Sequence, residues 1–169
     1  MFGDLKRSRI IALSAVFIAL IALGSWVSVP FFPVPLTLQT LFVLLSGAVM
    51  RRYAVIPVTL YILLGALGLP LFHNGIAGIG ILLGPTGGYL VGFIPAALIV
   101  GVAYEAKTAW VHIIGLAMAT LIIYAFGISW LMYSTGIGIA AALAMGMFPF
   151  LLGDVIKASA AYMIAQRLP

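Results

Sequence analysis

The stretch Met147-Phe-Pro-Phe-Leu-Leu-Gly-Asp-Val-Ile-Lys-Ala-Ser-Ala-Ala-Tyr-Met-Ile-Ala165 is an apolar run that contains two charged side chains, Asp154 and Lys157. A charge at the centre of a membrane helix costs about 2.5–3.5 kcal/mol on insertion scales. At positions i and i+3 the two side chains share one helical face, with Cβ atoms about 5–6 Å apart. The pair therefore predicts a buried site for a small polar molecule. The alternative is an ion pair that only fixes helix packing.

The composition predicts an integral membrane protein. Of the 169 residues, 65% are hydrophobic and 7% are charged, whereas a soluble domain carries about 25% charged residues. This length accommodates about six spanning helices in a single domain, residues 1–169. The chain contains no cysteine, and its two histidines, His73 and His112, make a poor metal site. The sequence therefore predicts no metal, no cofactor and no catalytic residue.

Apolar runs between breakers predict six transmembrane helices in an all-α bundle. They cover residues 10–29, 36–50, 53–69, 88–104, 108–126 and 138–166. The connections are a Pro-rich turn at 30–35, Arg51-Arg52, a glycine-rich stretch at 70–87, Glu105-Ala-Lys107, and the region from Gly127 to Gly138. The first run continues for about 20 residues without a small-residue cleavage site, so we interpret it as a spanning helix rather than a signal peptide.

The basic residues fall at alternate ends of these segments. They are Lys6, Arg7 and Arg9, then Arg51 and Arg52, then Lys107, and finally Arg167. The positive-inside rule therefore predicts a multi-pass protein of the cell membrane with both termini in the cytoplasm. This charge is interpreted as topology and not as binding of nucleic acid. Asp154 then lies about 20 Å from the cytoplasmic end of its helix, in the outer half of a core about 30 Å thick.

The glycine-rich connection, extracellular in this topology, predicts a lid over the site. Its glycines permit a positive φ and close approach to a ligand, while Ile76, Ile79 and Ile81 make it apolar. It lacks the Gly-Lys-Ser/Thr ending of a nucleotide-binding loop, so the chain alone is not an ATPase. Four residues that open the next helix, Thr86, Gly87, Gly88 and Tyr89, are candidates to meet a polar ligand through backbone N–H groups or the Tyr89 ring. For Tyr89, an aromatic of the membrane interface is an equal alternative.

Three further features add candidates. Asn74 in the glycine-rich connection can donate and accept hydrogen bonds, although a loop asparagine that stabilises its own turn is nearly as common. Gln39, just after the Pro-rich turn, is expected in a cavity rather than against lipid. Ala15 and Ala19 of the first segment have the spacing of a flat helix face, which serves either internal packing or docking to another membrane subunit.

Four stretches resemble one family, the biotin-specific substrate-binding (S) components of energy-coupling factor (ECF) transporters, known as BioY. They are Pro33-Val-Pro-Leu-Thr-Leu-Gln-Thr-Leu-Phe-Val-Leu-Leu-Ser-Gly47, Leu64-Gly-Ala-Leu-Gly-Leu-Pro-Leu-Phe72, Leu83-Gly-Pro-Thr-Gly-Gly-Tyr-Leu-Val-Gly-Phe93 and Phe148-Pro-Phe-Leu-Leu-Gly-Asp-Val-Ile-Lys157. They occur in the family's order and span most of the chain. The weakest coverage is at residues 108–136.

The resemblance implies high-affinity capture of biotin from outside. It also implies assembly with a transmembrane T component, which docks on the alanine face of the first helix, and with two cytoplasmic ATPase subunits. In such a site Asp154 accepts from the ureido N–H groups of biotin while Lys157 or Asn74 donates to its carbonyl; alternatively, Lys157 pairs with the biotin carboxylate.

Other functions are also compatible with the residues. These are an S component for another vitamin, a stand-alone proton-coupled carrier or channel with Asp154 as its titrating group, and an intramembrane enzyme with Asp154 as general base. The enzyme is the weakest of them, because no second carboxylate or nucleophile motif supports it.

Overall fold

The computed structural model of the chain describes residues 2–168, and most of them are helical. In chain order the elements are α1 (Phe2–Trp26), β1 (Ser28–Val29), β2 (Leu36–Thr37), α2 (Gln39–Met50), a 3₁₀ turn (Arg51–Ala54), α3 (Val55–Ala66), a second 3₁₀ turn (His73–Gly75), α4 (Ile79–Leu83), α5 (Gly87–Ala103), α6 (Ala109–Thr135), α7 (Ile139–Gly146) and α8 (Leu151–Ala165).

Helix α5 lies at the centre of the packing. It packs most extensively against α6 and also contacts α2 and α3, while α2 additionally contacts α1 and α8. The centre of α5 is apolar on the faces that meet these helices, and Ala96, Ala97 and Val100 are fully buried there. The small size of the two alanines lets neighbouring helices approach closely, as membrane helix interfaces require.

The chain reverses direction between α2 and α3. Residues 39–66 form nearly uninterrupted helix, yet Arg51 has a positive φ of 58° and a ψ of −144°. Gln39 Nε2 donates a hydrogen bond of 2.6 Å to Tyr61 Oη, although these residues would lie about 33 Å apart in one straight helix. The two helices therefore form a hairpin, with the basic residues of the Arg51–Ala54 turn at its tip.

By length and composition, the described residues include three helical stretches that can cross a membrane: Asp4–Trp26, Gln39–Ala66 and Ala109–Thr135. Helices α7 and α8 are bent by 52° at a short break, and if this pair counts as one span the number of candidate spans rises to four. Because α2 and α3 form a hairpin, the second of these stretches is not one straight span. Helix α5 is a shorter apolar helix.

Helix α6 is longer than the sequence predicts. The expected connection from Gly127 to Gly138 is helical as far as Thr135, so the prediction that the fifth segment ends at residue 126 is wrong. Gly127 does not break the helix, because its missing side chain is needed for packing: a Cβ there would collide with the ring of Tyr89 on α5. The helix ends instead at Gly136, whose φ of 72° is left-handed.

The predicted sixth segment, residues 138–166, consists of two helices rather than one. Pro149 lies in the break between α7 and α8. Proline has no N–H to donate and its ring clashes with the carbonyl four residues earlier, so a continuous helix is disfavoured here. The break places Asp154 in the first turn of α8, where the positive end of the helix dipole favours a carboxylate.

The Pro-rich turn and the glycine-rich connection contain local structure that the sequence did not predict. The Pro-rich turn is flanked by β1 and β2, which pair antiparallel with Ser28 opposite Thr37. The glycine-rich connection contains a 3₁₀ turn and the short helix α4. Its Gly75 and Gly78 have φ of 72° and 103°, the backbone freedom expected of glycines in this stretch.

Candidate functional site

The carboxylate of Asp154 lies at the meeting point of three helices. It is buried, as is Lys157 one turn later on α8. Asp154 Oδ1 accepts hydrogen bonds from Lys157 Nζ at 2.9 Å and from Thr40 Oγ1 on α2 at 3.2 Å. Asp154 Oδ2 accepts from the Tyr124 hydroxyl on α6. Because a buried charge is costly without partners, these donors make an ionised carboxylate tolerable at this position.

A cavity opens beside this carboxylate, between α2, α5, α6 and α8. It is lined by Val34, Pro35, Thr37, Gln39, Thr40, Phe72, His73, Thr86, Tyr89, Leu90, Phe93, Ile123, Tyr124, Phe150, Asp154 and Lys157. Aromatic and aliphatic side chains form most of the wall, and three polar side chains of the wall, Thr40, Tyr124 and Lys157, bond to Asp154. Such a cavity suits a ligand with one strongly polar end and an apolar body.

Five of the predicted site residues line the cavity together: Asp154, Lys157, Gln39, Thr86 and Tyr89. Gln39 is buried, and the Tyr61 hydroxyl that accepts its bond donates in turn to Leu71 O at 2.9 Å. The Tyr89 hydroxyl donates to Gly146 O at 2.8 Å. Tyr89 therefore presents its ring to the cavity while its hydroxyl holds the end of α7.

The other predicted residues lie elsewhere. Asn74 is exposed, with a left-handed φ of 56°. Gly87 and Gly88 are buried at the start of α5, where a Cβ would collide with Leu82 or with Trp130. The Gly87 N–H already donates to Gly84 O at 3.1 Å. We therefore interpret these two glycines as packing positions.

Ala15 and Ala19 are both exposed on α1. Their side chains do not contribute to the buried cluster of described core residues, which on this helix contains Phe17, Ile21 and Ala22. The alanine face therefore does not serve internal packing in the isolated chain, which was one of the two uses predicted for it.

Four polar residues of the cavity wall were not among the predicted site residues: Thr37, Thr40, Tyr124 and His73. Thr40 directly follows Gln39 in the stretch that carries the resemblance, so its place beside a predicted residue was an available signal. Tyr124 had no such signal, because it lies in an otherwise apolar helix. His73 was considered only as a poor metal ligand, yet it lines the cavity. Burial lowers the pKa of its imidazole, so the ring is neutral near pH 7.

The glycine-rich connection contributes less to the wall than expected. Among the described residues that line the cavity, it supplies Phe72, His73 and Thr86 rather than its isoleucines. Ile76 and Ile79 are exposed, and α4 packs against α3 and α5. Within residues 2–168, no group of three or more His, Cys, Asp or Glu side chains is placed to hold a metal ion.

The helices and this cavity define a helical membrane protein with a cavity among its helices. A family model described as the BioY family matches residues 3–169. A protein of Thermotoga maritima named biotin transporter BioY is 43% identical over 157 residues, covering 92% of each chain. A probable biotin transporter BioY of Pyrococcus horikoshii is 38% identical, covering 96% of this chain and 97% of that one. The chain therefore belongs to the BioY family, as the resemblance predicts.

The fold agrees with a solved structure. The crystal structure of the S-component for biotin from an ECF-type ABC transporter superposes with a TM-score of 0.87 and covers 97% of this chain and 92% of that chain, at 24% sequence identity. The chain shares this fold, and its family is one of transporters and not of enzymes.

Proposed function

We propose that this protein captures biotin from outside the cell and takes it up as the membrane-embedded S component of an ECF-type ABC transporter. The observation that carries the proposal is the buried Asp154–Lys157 pair beside an internal cavity, in a chain of the BioY family. Relatives named as biotin transporters cover nearly the whole chain. Intramembrane charges that face a cavity are functional by default.

Biotin has the chemistry that this cavity complements. Asp154 uses three of about four acceptor positions of a carboxylate, which leaves room for one N–H of a ligand. Lys157 Nζ carries three protons, and one of them is directed to Asp154. The pair therefore offers an acceptor and a donor side by side, and a ureido group presents an N–H beside a carbonyl. The apolar walls suit the thiophane ring and the valeryl chain.

This geometry favours the ureido end, rather than the carboxylate, at the Asp154–Lys157 pair. The ammonium is already 2.9 Å from the Asp154 carboxylate. A biotin carboxylate on the same ammonium would bring two like charges together in a buried site, where repulsion is weakly screened. The biotin carboxylate is then left for the cavity wall near His73 and Thr37 or for solvent.

The proposed membrane arrangement is a single domain, residues 1–169, that crosses the cell membrane six times with both termini in the cytoplasm. Contacts between the basic ends support it. Arg52 of the turn after α2 bonds bidentately to Glu105 after α5, at 2.7 and 2.5 Å, and Lys6 Nζ lies 5.4 Å from the centre of the Tyr53 ring. Three predicted cytoplasmic regions therefore meet at one end of the bundle, and the glycine-rich connection belongs to the opposite, outer end.

The proposed partners are a transmembrane T component and two cytoplasmic ATPase subunits. The chain has no nucleotide-binding loop of its own, so energy from ATP has to come from another subunit. Ala15 and Ala19 are exposed on α1 and form a flat surface on which a helix of the T component can pack closely.

Equilibrium binding of labelled biotin to the purified protein tests the proposal. We expect saturable binding with a Kd below micromolar, because several hydrogen bonds form in a water-excluded cavity. Biotin methyl ester should compete, since the carboxylate is not held by the pair. An analogue in which the ureido carbonyl is replaced by an imine should compete poorly.

The outcomes of this experiment are distinct. Absence of biotin binding below micromolar concentration contradicts the proposal, and competition by a different vitamin identifies an S component of another specificity. Uptake into liposomes driven by a pH gradient without ATPase subunits would instead favour a proton-coupled carrier.

A further inference from the structure

Tyr124 faces two separate spaces. Together with Asp154 it lines the ligand cavity, and the same two residues also line an apolar groove between α6 and α8. The remaining walls of that groove are mostly aliphatic, among them Leu121, Leu151 and Val155. The Tyr124–Asp154 hydrogen bond therefore stands between the cavity and the groove.

We propose that Tyr124 is a positioning residue for ligand binding: its hydroxyl holds the Asp154 carboxylate toward the cavity and prevents it from turning into the groove. The inference rests on the proposed function and adds to it a residue that need not touch the ligand. Three side chains hold Asp154, but they do so differently. Thr40 and Lys157 both donate to Oδ1, and Tyr124 alone among the described residues donates to Oδ2.

This asymmetry gives Tyr124 a specific role. Donors on Oδ1 alone still allow the carboxylate to tilt by small rotations about its Cβ–Cγ bond, because that torsion is broad. A third donor on the other oxygen, from a different helix, fixes the plane of the group. The unused acceptor position of the Asp154 carboxylate then stays directed toward the cavity. Preorganisation of this kind increases affinity by removing the cost of ordering the group on binding.

The other charged and titratable side chains of the cavity do not take over the hydrogen bond that Tyr124 donates to Asp154. Lys157 is the only ammonium among the described cavity residues, and it lies on the same helix as Asp154. The other titratable side chains of the cavity are His73 and Tyr89. The Tyr89 hydroxyl is committed to Gly146 O, so a change at Tyr124 leaves no described cavity residue free on α5 to take over its bond.

The test compares biotin binding by wild type, Tyr124→Phe and the control Tyr104→Phe. Tyr104 also has a buried hydroxyl, but this hydroxyl has no hydrogen-bond partner among the described residues. We expect Tyr124→Phe to weaken binding by about tenfold or more, the effect of losing a hydrogen bond to a charged group, and Tyr104→Phe to bind within about twofold of wild type. Thermal unfolding of each variant shows whether its fold is retained.

An infrared measurement without ligand separates positioning from a structural role. The chain has three acidic residues, so in an Asp4→Asn/Glu105→Gln background Asp154 is the remaining side-chain carboxylate. We expect Tyr124→Phe to shift its antisymmetric stretching band, and Tyr104→Phe to leave the band in place. If Tyr124→Phe fails to fold, Tyr124→Met serves instead, because it also removes the only described donor to Oδ2 and keeps an apolar side chain.

Suppose that wild type binds biotin and that Tyr124→Phe either binds within twofold of wild type or leaves the carboxylate stretching band unshifted. Either result overturns the inference and leaves the proposed function intact. Absence of binding by wild type overturns the proposed function itself.

Discussion

At the scale of single residues, the ion pair in α8 has energetic consequences of its own. Removing one member of a buried pair leaves the other charge uncompensated, which costs about 3–5 kcal/mol. Asp154 and Lys157 are both buried, so a single substitution disturbs folding and binding together. Substituting both residues by neutral ones of similar shape removes the charges without leaving either unpaired.

We therefore expect the double variant Asp154→Asn/Lys157→Met to unfold near the wild-type temperature but to bind biotin at least about 100-fold more weakly, because two hydrogen bonds from or to charged groups are lost. Each single variant should unfold at a lower temperature than the double variant. Thermal unfolding and equilibrium binding on the same samples measure both effects. A double variant with wild-type affinity would show that the pair serves only packing.

A second prediction concerns Gly127 on α6. A Cβ at this position collides with the ring of Tyr89, so Gly127→Ala forces that ring to move and strains its bond to Gly146 O. We expect a loss of about 1–3 kcal/mol in stability, the usual cost of overpacking, together with weaker biotin binding. The control is Gly80→Ala on α4, where a Cβ has no neighbour within 4 Å. Equal unfolding temperatures for the two variants would contradict the packing role of Gly127.

Residue type also decided what was predictable from the sequence. Asp154 and Lys157 stand out because charge in an apolar run has few explanations. A single hydroxyl, such as that of Thr40 or Tyr124, is common in apolar helices, and its partner is decided by tertiary packing. Asn74 was a reasonable candidate by chemistry, yet the left-handed turn at His73–Gly75 places it at the surface.

At the scale of the elements, glycine and proline have meanings that local sequence does not separate. Gly127 and Gly136 look alike in the sequence, but the first lies inside α6 against an aromatic ring and the second ends the helix with a positive φ. The Pro149 break was missed because the apolar run on both sides is long enough to span as one helix. The length and apolar character of each run predicted where the helices lie. The ends of the helices depended on how individual glycines and prolines are placed in the packed structure.

The third prediction concerns the link between two connections, the ion pair of Arg52 and Glu105. The Arg52 guanidinium, through its hydrogen bond, lowers the pKa of the Glu105 carboxyl below its ordinary value of 4.5. A depressed pKa means that this stabilisation is present above the unfolded-state pKa and is lost as the pH falls through the folded-state value. Both side chains contact solvent, so salt screens the pair.

Glu105→Gln should therefore lower the unfolding temperature slightly at neutral pH and low salt. The difference should disappear at about 1 M salt and at a pH well below 4.5. Lys107→Gln, a change at an exposed cation of the same connection, is the matched control. An effect of Glu105→Gln that persists unchanged at high salt would indicate a role other than the ion pair.

At the scale of the whole molecule, charge is concentrated at one end of the bundle. The connections at residues 27–38 and 67–86, and the segment 136–150 that includes α7, contain no Lys, Arg, Asp or Glu. The basic ends are joined through the Arg52–Glu105 pair and the Lys6–Tyr53 contact. This pattern was readable in the sequence because orientation depends on counting charges. The contacts between the ends were not readable, because they depend on how the helices pack.

The chain lacks cysteine, so single-cysteine variants report the topology without background. We expect Phe32→Cys, Leu67→Cys and Gly138→Cys to react with a membrane-impermeant reagent added outside intact cells. Lys107→Cys and Arg167→Cys should react only after permeabilisation, since they lie at the basic end. Labelling of Phe32→Cys and Lys107→Cys from the same side would contradict six membrane crossings with cytoplasmic termini.

The distribution of the site along the chain has a consequence for biogenesis. Membrane helices enter the bilayer in the order of their synthesis, and Asp154 arrives with α8, after Thr40 on α2 and Tyr124 on α6. Until then the hydroxyls of Thr40 and Tyr124 lack the acceptor that Asp154 provides in the complete bundle. The carboxylate and its ammonium enter together, three residues apart, as a nearly neutral unit that is cheaper to insert than either charge alone. On the proposed function, the ability to bind biotin is acquired in one late step of synthesis, when the last helix joins the bundle.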